Sequence, residues 1–278
     1  MIQMKAVKTF ASVEPLFQDL SYHLSIASAL HGLTPAEIYT DESAAPRAAL
    51  MRAGHHYLLV GDPQSTAFAV DLREWFAGTV YPELRANQGW GFQLFFSDGW
   101  QPVIENDILQ SFRRILAPRQ YYEINLGDSR SAPSHTAVPE GFEIQPVTRE
   151  LLQNPTIGGL DELAEEMCSE RPTVEDFLAR SFGVCLLHQN RVSGWCLSEY
   201  NLGTRCEVGI AVDEAHRQRG LATQLGLAFF EQARRNGLSQ IGWHCWTRNT
   251  PSSATAVRLG LQKMVDYNSF FCPTDQEL

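Results

Sequence analysis

The sequence predicts an α/β (α+β) chain of two domains, and three observations predict it. The length of 278 residues is more than one ordinary core needs and suits two. A stretch rich in Ser, Pro, Gly and Ala, residues 127–141 (GDSRSAPSHTAVPEG), reads as a linker. Downstream of it the periodicities run strand, glycine-bearing loop, helix, strand, helix, a βαβα order. These place a first domain over 1–130, a linker over 131–141 and a second domain over 142–278.

Each element has its own signal. In the first domain, the apolar run 57–60 is closed by Gly61-Asp62-Pro63 and the run 91–96 by Ser97-Asp98-Gly99, so both read as strands. Residues 104–116 carry helix-like spacing that ends before Pro118. This domain holds no nucleophile, metal or phosphate motif. In the second domain, 181–187, 192–200 and 207–212 read as strands, the last with Val208, Ile210 and Val212 on one face. A helix follows from Leu221, with Leu225, Ala228 and Phe229 on its apolar stripe, and it ends in Arg234, Arg235 and Gly237. Residues 241–246 read as the next strand, and 252–259, closed by Gly260, as the next helix.

Composition narrows the function. There are 22 basic and 32 acidic side chains, a formal charge of −10, whereas phosphate-backbone binders present a broad basic face. Nucleic acid is therefore not an expected partner. The opening MIQMKAVKTF lacks the apolar core of a signal peptide, and no run approaches the roughly 18 apolar residues of a membrane span. A cytoplasmic protein with no membrane partner is expected. The cysteines at 168, 185, 196, 206, 245 and 272 form no C-x-x-C pair, so buried free thiols are expected and a metal site is not.

The most informative segment joins the third strand of the second domain to its helix. Residues Arg217-Gln218-Arg219-Gly220-Leu221-Ala222 fit Arg/Gln-x-x-Gly-x-Gly/Ala. Backbone N–H groups at a helix start can cradle an anion, Gly220 permits close approach, Ala222 keeps the first turn narrow, and Arg217 and Arg219 add positive charge. With Ile210-Ala211-Val212 before this loop, and Asn249 then Leu259-Gly260-Leu261 after it, the chain resembles the GNAT acyltransferases. Its first half, through 38–42, 45–50 and 57–62, resembles a two-domain bacterial subgroup that includes zwittermicin-resistance acetyltransferases. The resemblance implies a mixed, mostly antiparallel central sheet flanked by helices, with an N-terminal α/β domain that could itself be a degenerate copy. It also implies acetyl-CoA as co-substrate, no metal, and N-acetylation of a primary amine on a small molecule. Coenzyme contacts would come from Ile210, Ala211 and Val212, from Arg217, Gln218, Arg219, Gly220, Leu221, Ala222 and Thr223, and from Asn249 and Ser252.

Acetyl transfer needs a polarised thioester carbonyl, a route for the amine proton and an acid for the leaving thiolate. The resemblance gives the first task to the backbone N–H of Val212. The family's common acid, a tyrosine seven residues after the asparagine, is replaced by Ala256. Ser252 is a candidate in its place, with helix N-capping the competing reading. Glu207 is the candidate base, against a surface carboxylate; alternation turns it away from Val208, Ile210 and Val212 unless the strand bulges. His244 is a candidate relay, against a hydrogen-bonded core histidine. Tyr267 and Glu199 are weaker candidates, and Cys245 reads as a core thiol. The seven carboxylates at 161, 162, 165, 166, 170, 175 and 176 form a solvated face or attract a cationic acceptor. The expected partners are acetyl-CoA and an amine acceptor, in a monomer or homodimer. The rival function is a non-catalytic acyl-CoA-binding or regulatory module.

Overall fold

The computed structural model describes residues 5–6, 12–41, 45–127, 138–169 and 171–274. Its compact units are Met1–Arg119 together with Tyr267–Leu278, and Gln120–Asp266. The second unit thus begins at Gln120, ahead of the polar stretch expected to separate the domains, and the last strand belongs to the first unit. The reason is strand pairing over long range, which composition does not report.

In the first unit, β1 (Lys5–Ala6), β2 (Glu37–Thr40), β3 (Ala48–Ala53), β4 (His56–Gly61), β5 (Gly91–Phe96), β6 (Ile115–Leu116) and the last strand of the chain, β14 (Ser269–Pro273), lie in one sheet of order β1-β2-β3-β4-β5-β14-β6. The pairings β1·β2, β2·β3 and β3·β4 are antiparallel and β4·β5 is parallel. Helix α1 (Thr66–Trp75) makes the crossover. Strands β3 and β4 are apolar on successive residues because both faces are covered. Leu50 and Leu59 pack in one core with Leu72 and Trp100, and Met51 and Leu58 in another with Phe17 and Ile26.

The helix expected over 104–116 is corrected. A helical turn at Trp100–Val103 widens into a π turn at Ile104–Ile108, closed by Leu109 N–H donating to the Ile104 carbonyl at 2.9 Å. Ile115 and Leu116 then pair with Phe271 and Phe270 as an edge strand. Pairing with a distant strand overrides the local period.

The second unit's sheet contains β7 (Arg119–Asn125), β8 (Phe142–Pro146), β9 (Gly183–His188), β10 (Arg191–Leu202), β11 (Arg205–Val212), β12 (Gln240–Trp246) and β13 (Gln262–Tyr267), in the order β13-β7-β12-β11-β10-β9-β8. It is mixed: β8·β9, β9·β10 and β10·β11 are antiparallel and β11·β12 is parallel. This repeats the pattern of the first sheet. In the second sheet the inserted strand is β7, which follows β6 in the chain; in the first it is β14 (Ser269–Pro273), which follows β13. The two halves have exchanged one strand each.

The longer helices over this sheet are α2 (Leu160–Met167), α3 (Val174–Arg180), α4 (Leu221–Arg235) and α5 (Thr250–Arg258). On one face Leu221, Leu225 and Phe229 of α4 bury against Val184, Cys196, Cys206, Ile241 and Trp243. On the other, Leu163, Met167 and Phe177 of α2 and α3 bury against Cys185 and Leu197. Each fully buried Leu or Phe contributes about 1.5–3 kcal/mol, so both faces are held firmly. Five of the six thiols are buried and Cys168 is exposed; burial pushes the Cys185 thiol up to about 12. Among the described residues no helix is long and apolar enough to cross a membrane.

Candidate active site

Strands β11 and β12 pair only from Arg205↔Gln240 to Glu207↔Gly242. Beyond Glu207, β11 runs to Val212 and β12 to Trp246 with no further pairing between the described residues. The strands splay. On the other side β11 stays registered with β10 from Glu199↔Glu207 to Gly194↔Val212 without a bulge. Asp213 N–H donates to Ser193 O at 2.9 Å, and antiparallel ladders alternate bonded and non-bonded pairs. Val212 and Ile210 therefore turn their N–H and C=O groups away from β10 and into the splay. The guanidinium Nε of Arg217 donates to the Val212 carbonyl at 3.1 Å, leaving the Val212 amide aimed at the opening.

The opening holds two cavities. One, of about 280 Å³, is lined by Ile210, Ala211, Val212, Trp243, Asn249 and Ser252, among others. The other, of about 740 Å³, lies at the start of α4 and is lined by Val212, Arg217, Gln218, Gly220, Leu221, Ala222 and Thr223. Gly220 is the α4 N-cap with φ +77°, and a Cβ built there would meet nothing within 4 Å. Of the first-turn amides, that of Thr223 donates to the Gly220 carbonyl at 3.1 Å, and those of Leu221 and Ala222 belong to residues that line this cavity. His216, Arg258 of α5 and the acidic Glu214 also line it. The Nδ1 of His216 is buried without a hydrogen-bond partner among the described residues. The residues fit a phosphate-bearing arm: amides and two guanidiniums at one end, a narrow apolar slot at the other.

Most of the expected coenzyme residues meet here, with one exception. Arg219 lines neither cavity; its guanidinium lies over the Phe142 ring, 5.1 Å from the centroid. The Arg/Gln-x-x-Gly pattern does not say which way that side chain leaves the loop, and cation–π stacking decides it. Asn249 is the N-cap of α5, accepting from Ser252 N–H at 3.3 Å, so Ser252 is not the cap. Instead, Ser252 Oγ accepts from the Trp243 indole Nε1 at 3.0 Å. Its own hydroxyl proton can then be donated elsewhere.

On the face opposite α4, at the apex of the splay, Glu207 Oε1 lies 3.3 Å from His244 Nε2. Both side chains are nearly enclosed, 7% and 10% exposed, a setting in which a carboxylate–imidazole pair moves a proton without competing water. Glu199 faces Glu207 across the ladder. From α2, Glu166 points the same way: a Cβ on Gly209 would stand 2.2 Å from Glu199 Oε1 and 3.8 Å from Glu166 Oε1. Burial raises the Glu166 carboxyl above the usual range. The remaining acids of the 161–176 run differ: Asp161, Glu162 and Glu165 are exposed, Glu162 bonds Arg191 at 2.9 Å, and Glu175 bonds Arg149. Glu170 lies outside the described residues. Ala256 is fully buried, with Cys245 in the α4 core. Tyr267 belongs to the first unit, where its ring packs on Tyr22 and His23 and its hydroxyl accepts from Arg119 Nε at 3.0 Å. The pattern reading missed Tyr121, His216 and Arg258, none of which lies in a motif.

A splayed parallel pair opening onto an amide-lined helix start is the architecture of an acyltransferase. The family description "GNAT acetyltransferase" matches residues 14–270, and the chain belongs to that family, whose members use acetyl-CoA as co-substrate. An uncharacterized N-acetyltransferase of Bacillus subtilis (strain 168), YdfB, is 24% identical over 276 residues, covering 97% of this chain and 98% of the relative. Among solved structures, a GCN5-related N-acetyltransferase-like protein from Streptococcus suis 89/1591 superposes with a TM-score of 0.69 at 21% identity, covering 95% of this chain and 98% of that one. A tandem GNAT protein from the clavulanic acid biosynthesis pathway gives 0.57 at 12% identity, with 99% of each chain covered. These likenesses share the fold.

Proposed function

We propose that the chain transfers the acetyl group of acetyl-CoA to a primary amine of a small molecule, by direct attack in a ternary complex. The observation that carries this reading is the splay beyond Glu207↔Gly242, which opens beside the α4 N-terminus on one side and the Glu207–His244 pair on the other. The amides of 218–222 and the guanidiniums of Arg217 and Arg258 hold the pyrophosphate end. Ile210, Ala211 and Val212 line the arm, and the Val212 N–H polarises the thioester carbonyl. Glu207 accepts the proton of the attacking amine, with His244 as the route onward. The C–N bond forms, the C–S bond breaks, and the Ser252 hydroxyl donates a hydrogen bond to the leaving thiolate, in the place of the tyrosine replaced by Ala256; the thiolate takes its proton from water on release. Acidic residues around Glu207 favour a cationic acceptor.

The test is thiol release from acetyl-CoA with a panel of primary amines. Glu207→Gln is expected to lower kcat by about 10²–10⁴-fold while leaving acetyl-CoA affinity unchanged. Tight acetyl-CoA binding with no turnover on any amine would instead support the binding-module reading, for which the buried Ala256 is the motive.

A further inference from the structure

The chemistry above does not use Tyr121, yet this side chain packs directly against the Glu207–His244 pair. It enters on β7, the strand inserted beside β12. Its ring stacks on the His244 imidazole, with centroids 4.6 Å apart and planes 27° from parallel. Its phenol donates to Glu123 Oε2 at 2.8 Å, a residue two positions along β7 and hence on the same face. Burial, and after it the Glu123 acceptor, keeps that phenol protonated well above its ordinary range.

Gly242 explains how these groups come so close. A Cβ at that position would lie 3.0 Å from the Tyr121 ring and 3.1 Å from Glu207 Cγ, tighter than ordinary van der Waals contact. Only a residue without a side chain lets ring and carboxylate close over β12. His244 is two residues further along the same strand and on the same face.

We infer that Tyr121 is a positioning residue for the transfer reaction: β7 lays an aromatic plate against His244 and keeps Nε2 facing Glu207. The inference rests on the Glu207–His244 reading of the proposed function. The 3.3 Å contact between Glu207 and His244 is long for a hydrogen bond, and the stacked ring adds a steric constraint on the imidazole. The stacked ring removes the swing out of plane, and Glu123 holds the phenol that does the stacking.

The experiment uses the full chain and three variants, Tyr121→Phe, Tyr121→Leu and Glu207→Gln. Tyr121→Phe keeps the plate, so kcat should stay within about threefold of the parent with its pH profile unmoved. Tyr121→Leu removes the plate: kcat should fall about 10- to 100-fold, the pH limb governed by the pair should move, and the KM for acetyl-CoA should stay within about twofold. Proton NMR of the parent supplies a reading that needs no variant to fold, because a stacked ring displaces the His244 Cε1–H resonance upfield. A parent resonance at the position of an unstacked histidine overturns the inference. So does a Tyr121→Leu protein with parental kcat and pH profile, or one whose acetyl-CoA affinity falls in step with kcat. Glu207→Gln separates the layers: parental turnover there sinks the base assignment itself, whereas a slow Glu207→Gln beside a fast Tyr121→Leu sinks only the role of Tyr121.

Discussion

The two units carry the same strand pattern and treat the same position in opposite ways. In the second, the parallel ladder stops at Glu207↔Gly242 and the strands part. In the first, the parallel ladder of β4 and β5 runs from His56↔Gln93 to Leu59↔Phe96, extended by Ser97 N–H to the Leu59 carbonyl at 3.0 Å. The carbonyl at the strand end is bonded in both, by exposed Arg217 at Val212 and by fully buried Trp100 at Gly61. After β4 the loop reads Gly61-Asp62-Pro63-Gln64-Ser65. Pro63 has no N–H, Asp62 repels anions, and the Ser65 hydroxyl is committed to Asp41 at 2.9 Å. Two sheets with the same strand order thus differ where the parallel ladder ends: it stops early in the second and runs on in the first.

The glycine of each loop gives the largest test of that contrast. Both have positive φ, +91° at Gly61 and +77° at Gly220, but a Cβ on Gly61 would lie 2.1 Å from the Arg47 carbonyl oxygen while one on Gly220 meets nothing within 4 Å. Gly61→Ala should therefore cost about 2–3 kcal/mol of stability in urea unfolding. Gly220→Glu should cost less, about 1–2 kcal/mol for the positive φ alone, and abolish acetyl-CoA binding by calorimetry. Unchanged affinity would remove the loop from the coenzyme site. The same titration of the parent should give one acetyl-CoA per chain, and a second equivalent of similar affinity would break the comparison outright.

Smaller effects sharpen it. Arg258→Ala should raise the KM for acetyl-CoA about tenfold, as expected for a charge-assisted bond to phosphate. Arg219→Ala should change it less than about twofold, since Arg219 is turned onto Phe142. The smallest expected effect depends on pH. Burial raises the Glu166 carboxyl in the folded state, so its contribution to stability is present below the unfolded carboxylate range and lost as pH rises through the folded value. Glu166→Gln should therefore melt higher than the parent at pH 8, and the difference should vanish near pH 4. A gap that persists in acid would place the effect elsewhere.

Local pattern picked out most of the residues that line the two cavities beside α4. Alternation put Val208, Ile210 and Val212 on one face and Glu207 on the other, which β11 keeps because its register is regular. The α4 stripe through Leu221, Leu225 and Phe229 is buried as its spacing implies. Illegible were the contributions that depend on distant pairing. Tyr121 lies upstream of the polar stretch, among residues that the sequence alone assigns to the other domain, and no local period announces that β7 lies beside β12. Arg258 and His216 fall next to motifs rather than in them, and the period over 104–116 hides an edge strand recruited by β14.

The exchange of β7 and β14 also orders events in time. During synthesis the first sheet has β1 to β6 available early, yet the strand that separates β5 from β6 emerges only after the whole second sheet has been made. Such contacts, among the most distant in the chain, close slowly and leave a strand edge exposed in the interval. A gene split within the polar stretch would leave β7 on the first fragment and β14 on the second, so neither product would hold a complete sheet of its own.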